Sequence, residues 1–140
     1  MANISNYLEE KILDTVFKAG ANTWIPATVY CGIVNDTAID TDMEAGTLTN
    51  EITAYTGDRK AISWGTIAQS GGKATVSNSA AIEFEDMPAP GTDEVKYAII
   101  CDEATSGNIL WWLPITAGPK AFNEGDTFRI PIGDLTIDLD

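Results

Sequence analysis

Two hydrophobic periods divide this chain. Over residues 5–19 the apolar positions Leu8, Ile12, Leu13, Val16 and Phe17 recur at helical spacing, with Glu9, Glu10, Lys11, Asp14 and Lys18 on the other side. That pattern predicts one amphipathic helix of about three to four turns. Ser5 or Asn6 stands where a cap is needed, and Asn6 followed by Glu9 has the offset of a capping box. Acids near the start and Lys18 at the end suit the helix dipole, and Gly20 marks the stop.

Beyond Pro26 the period shortens to that of strands. Ala27 to Val34 is a β-branched and aromatic run bounded by Pro26 and Asn35-Asp36. Residues 35–50, carrying Asp36, Asp40, Asp42 and Glu44, form a polar stretch long enough to predict a mobile or contact-making loop. Further strands are expected at 51–55, 60–64, 72–76 and 81–85, the last alternating strictly. A Pro- and Gly-rich turn at 87–91 precedes Val95–Cys101, the most apolar run and the expected central strand. Strands at 108–113, 120–122, 126–130 and 135–139 complete the pattern. The fold class is therefore mainly β: an antiparallel β-sandwich or jelly-roll-like body over about 26–140, with one N-terminal amphipathic helix over about 5–19. The absence of βαβ alternation excludes a parallel nucleotide-binding sheet. A chain of 140 residues suits a single domain that buries roughly two-thirds of its unfolded surface, and leaves no room for a multi-domain enzyme.

Charge narrows the function. Eight Lys and Arg face 21 Asp and Glu, a net −13. Phosphate backbones and anionic membranes would repel such a chain, so neither nucleic acid nor membrane is expected as a partner. The sequence has no histidine, which removes the commonest general base, the commonest zinc ligand and any Ser–His or Cys–His nucleophile. Cys31 and Cys101 lie in apolar strand-like runs without a C-x-x-C spacing, and are expected to be buried free thiols. The start, Met1 to Asn6, lacks a basic region followed by an apolar core, so no secretory signal is expected, and folding in a cytoplasm without export is. No apolar run reaches membrane-spanning length.

The candidate chemistry is thin. Asp40, Asp42 and Glu44 superficially suggest a calcium loop, yet Gly46 falls one position late for it. Gly71-Gly72-Lys73 lacks a phosphate-loop frame and reads as a hairpin turn. Glu83 and Glu85 share the wet face of one strand. No catalytic, metal or cofactor residue is assigned. Trp111 and Trp112 are neighbours in a strand and so point to opposite faces; one is expected in the core and the other outward. That outward Trp and the helix stripe define the expected protein–protein contact set: Leu8, Ile12, Leu13, Val16, Phe17, Trp111 and Trp112. Aromatics such as Trp64 or Trp112 are also candidates for gripping sugars.

Asn6-Tyr7-Leu8-Glu9-Glu10-Lys11-Ile12-Leu13-Asp14 and Pro26-Ala27-Thr28-Val29-Tyr30, then Ser77 to Phe84, Gly107 to Trp112, Gly125 to Phe128 and Leu135 to Leu139, together resemble a family of small tailed-phage structural proteins. Its members are loosely labelled tail-fibre-like. The resemblance spans nearly the whole chain and departs from the family's pattern mainly at 35–50. It implies a virion component that decorates or cements the capsid exterior, contacting the major capsid protein, as a homo-oligomer with a trimer favoured. The alternative is a tail-fibre or receptor-binding module that recognises host glycans. Neither implies a catalytic residue.

Overall fold

The computed structural model describes residues 4–18, 24–90, 94–116 and 118–139. Helix α1 (Asn6–Phe17) precedes strand β1 (Tyr30–Asn35), a short helix α2 (Asp40–Ala45), and β2 (Glu51–Ile52) and β3 (Lys60–Ala61). There follow β4 (Ala68–Ser70), β5 (Lys73–Ser77), β6 (Ile82–Phe84), β7 (Val95–Cys101), β8 (Ile109–Pro114), β9 (Phe128–Ile130) and β10 (Thr136–Leu139). The largest sheet runs β2-β1-β7-β8, with β3 also pairing with β1. A smaller sheet runs β10-β5-β4, and β6 pairs with β9. All these pairings are antiparallel. The protein is mainly β with one long N-terminal helix, as its hydrophobic periods require.

The central sheet is buried on both faces, which explains why Tyr97–Cys101 and Ile109–Leu113 read as unbroken apolar runs. On one face Cys31, Ile33, Ala98, Ile100 and Trp111 pack against Ile82, Phe84 and Ile130 of the β6–β9 pair, with Met87, Phe122 and Leu135. Tyr55 meets Phe84 edge to face, ring centroids 4.9 Å apart. The opposite face presents Val34, Ile99, Cys101, Ile109 and Trp112, covered by Ala38 and Met43 with Leu48 alongside. Gly32 of β1 stands opposite Ile99 of β7; a Cβ there would stand 2.8 Å from Glu51 Oε1 and 3.0 Å from Ile99. A side chain there would push on the Glu51 carboxylate, which is held by Arg59, and crowd Ile99.

Residues 35–50 correct the expectation of a loose loop. They fold back over the second sheet face, and two apolar residues in the polar run, Ala38 and Met43, are fully buried there. Gly46 (φ 78°) ends α2 in the left-handed conformation, its N–H donating to the Met43 carbonyl at 3.1 Å. The Lys96 ammonium donates to Ala38 O at 2.6 Å and the Tyr97 hydroxyl to Asp40, pinning the segment to β7. Burial, followed by the hydrogen bond to Asp40, raises the Tyr97 hydroxyl to about 12.

Smaller differences have equally local causes. Strand β4 was invisible in sequence because all three of its residues are exposed, so no alternation marks it. The expected strand at 120–122 is reduced to one bridge between Val95 and Lys120. Residue 19, Gly20, Gly91 and Asp140 lie outside the described residues.

Candidate assembly surface

Helix α1 is fixed at its beginning and open along its length. Ser5, itself fully buried, is the cap: its hydroxyl accepts from Leu8 N at 3.2 Å and donates to Ile109 O, while its own N–H donates to Leu110 O at 3.0 Å. Asn6 and Glu9 therefore form no capping box, because the cap sits one residue earlier. Ile4 bridges to Trp111 at the outer edge of β8, and Leu8 packs on the main core. Further along, the Trp24 indole N–H donates to the Thr15 hydroxyl at 2.5 Å.

Beyond these ties the apolar stripe is uncovered. No residue of α1 is buried. Exposure rises along the helix, from 37% at Ile12 to 58% at Leu13, 63% at Val16 and 76% at Phe17. Tertiary burial usually supplies most of a short helix's stability, and here the face that would supply it meets solvent. Five of the seven expected contact residues thus lie on α1, with Leu8 partly spent on the core.

The two tryptophans correct the remaining expectation. They do point to opposite faces, but both are 6% exposed: Trp111 in the main core, Trp112 under the α2 segment. Neither faces outward, because the sequence pattern gave no sign that residues 38–48 would cover the second face. For the same reason Trp112 offers no sugar platform. Trp64 is partly buried against the main core.

Two features escaped the sequence reading. One is a cavity of about 340 Å³ between the end of β8 and β9, floored by the buried Ala98, Ile130 and Leu135 and rimmed by Lys120, Arg129 and Asp134. Apart from Ala98 its lining falls within 113–135, where the connection between β8 and β9 turns back on itself, and only the fold shows that these residues enclose a space. The other is a buried ion pair: Arg59 meets Glu51 through Nε–Oε1 at 2.6 Å and Nη2–Oε2 at 2.7 Å. Burial opposes the Arg59 charge, but the bonded Glu51 carboxylate outweighs it and the guanidinium pKa is raised. Among the described residues, no group of three or more His, Cys, Asp or Glu is placed to hold a metal ion.

Cys31 and Cys101 are both free and buried. Burial raises both thiols, Cys101 to about 12, so neither supplies a reactive thiolate near neutrality.

These features define an antiparallel β protein, closed on both faces of its main sheet, with an amphipathic helix left uncovered at the surface. Residues 3–138 match the model of the family described as Podophage GP4 fiber I protein gp80, and the chain belongs to that family. It is therefore a small tailed-phage structural protein, and its place is in the virion. No curated protein matches it.

Proposed function

We propose that this chain is a subunit of a phage fibre, built into the virion by protein–protein contacts made through α1. The observation that carries the reading is the uncovered face of Ile12, Leu13, Val16 and Phe17 on a helix whose first turn is pinned to the body. An apolar face of this kind is stabilised when a partner covers it. The family's fibre description supports an appendage over the shell. Decoration of the capsid exterior, through contacts with the major capsid protein, is the competing reading, since it uses the same kind of surface. The role in either case is structural, with no turnover.

Electron microscopy of virions carrying a tagged copy of this chain tests the proposal. Label at an appendage supports the fibre reading; label distributed over the shell replaces it with capsid decoration; label absent from the particle overturns both. In the same system Leu13→Asp gives a folded chain that fails to incorporate.

A further inference from the structure

We infer that the uncovered face of α1 docks into the β8–β9 cavity of a second copy of this chain, head to tail. The inference deepens the proposed function, because it rests on α1 being an assembly surface and names the partner. Apolar chemistry matches first. Leu13, Val16 and Phe17 stand in solvent, while the cavity, about 340 Å³, is floored by Ala98, Ile130 and Leu135 and flanked by Leu113 and Phe128. That volume falls within the size range of pockets that enclose apolar groups.

Charge then selects the occupant. In a chain of net −13, contacts between copies are opposed unless an acidic surface meets one of the few cations. Lys120 and Arg129, two of the eight Lys and Arg residues, both line this cavity. Lys120 has no ion-pair partner among the described residues, and Arg129 has only the exposed Glu83 at 3.3 Å. On α1, Glu9 and Glu10 lie one turn before Leu13, and Asp14 one turn before Phe17. Asp14 pairs with Lys18 on its own helix at 3.4 Å, an exposed pair, which leaves Glu9 and Glu10 as the acids without a salt bridge among the described residues. The helix thus carries apolar side chains flanked by acids, and the cavity an apolar floor flanked by bases. No residue of α1 lines the cavity of its own chain.

Such a contact is heterologous: one patch of each copy meets a different patch of the next, and the series closes into a ring or continues as a filament. A ring of three would be the homotrimer that the family resemblance implies.

The buried native thiols make the test clean. Purified full-length Phe17→Cys and Thr116→Cys chains, both positions exposed, are mixed and treated with a short bis-maleimide. The expected product joins a Phe17→Cys chain to a Thr116→Cys chain. Leu13→Asp in the first chain abolishes it, and Lys120→Glu in the second weakens association about tenfold, as loss of a close interfacial charge pair does. Adding Glu10→Lys to the first chain restores it against Lys120→Glu. Far-UV circular dichroism and an unchanged urea midpoint confirm that the variants fold. Products joining only Phe17→Cys chains to each other would overturn the inference in favour of a helix-to-helix contact. Sedimentation as a monomer without cross-linking would overturn it outright. Cross-linking without label on the particle would sink the proposed function alone; label at an appendage without cross-linking would sink this inference alone.

Discussion

Arg59→Met isolates a buried, bidentate ion pair in the body. The Arg59 and Glu51 side chains are 3% and 7% exposed, and the guanidinium uses both arms of its fork on the carboxylate. Its remaining nitrogen donates to Glu103 O at 2.9 Å and to Ser106 O. The side chain thereby ties β2 to the β7–β8 loop, where Ser106 holds a left-handed φ of 57°. Methionine fills much of the same space but leaves a buried carboxylate and two carbonyls without their donor. Removing one partner of a buried pair costs about 3–5 kcal/mol. Glu51→Gln retains an acceptor and loses the charge, so its cost is about 1–3 kcal/mol. Replacing both residues with apolar ones removes the orphaned charge, and Glu51→Leu with Arg59→Met should recover more than half of the single-variant loss. The contrast is Arg129 with Glu83, a pair 58% and 47% exposed, where Arg129→Met should cost under about 1 kcal/mol. Urea unfolding followed by tryptophan fluorescence and circular dichroism in parallel gives these values where the two transitions coincide. A cost below about 1 kcal/mol for Arg59→Met would refute the reasoning, because the burial would then carry no energetic weight.

Three other outcomes are open to measurement. Met43→Ala should cost about 2–5 kcal/mol and expose Trp112 to quenching by acrylamide, since Met43 is fully buried in the cluster over that ring; unchanged quenching would contradict the cover assigned to α2. The pKa values of Cys31, Cys101, Tyr55 and Tyr97 are all raised by folding, so the unfolded chain gives up these protons first. Their contribution to stability is complete below pH 9, the ordinary thiol value, and is lost as pH rises toward the folded values of about 12 for Cys101 and Tyr97; a urea midpoint constant from pH 8 to 10.5 would refute this. Native protein should also resist a maleimide at pH 7.5 and react at both cysteines in urea, whereas rapid native labelling would show that the thiols are accessible.

How far the sequence could be read depended on whether an element carried its own signal. Helix α1 and strands β1, β7 and β8 were legible because each shows its period locally, and Val95–Cys101 matched its expected limits to the residue. The loss of legibility at 35–50 has a physical reason. Six residues of α2 with one buried side chain make no stripe, and Met43 does its packing from within an acidic run. That single omission also misplaced Trp112, since an adjacent pair in a strand must point both ways but only the cover decides which faces are wet. The cavity and the Arg59 pair were beyond reach for another reason: each joins segments separated by connections whose course no local pattern specifies. The stripe on α1 was legible because an amphipathic pattern describes the helix itself, whatever covers it.

The location of the uncovered surface follows from how the sheet is closed. The central sheet has apolar side chains on both faces, and both are covered from within the chain, by the β6–β9 side and by the α2 segment. One outer edge carries β2 and β3, and the other receives Ile4 opposite Trp111 and the Ser5 N–H on Leu110 O. A body closed in this way gives a partner little of the main sheet to extend, and strand addition at its β8 edge must first displace the segment leading into α1. The helix is held by the same few residues, so its attachment blocks that edge as it presents Leu13, Val16 and Phe17 outward. Ser5→Ala therefore tests both roles together. It removes a buried hydroxyl that satisfies Leu8 N and Ile109 O, at a cost of about 0.5–2 kcal/mol. If attachment and assembly are coupled, association should weaken although no residue of the apolar face has changed. Association at full strength, with the helix's amide protection lost, would show that α1 docks independently of its anchor.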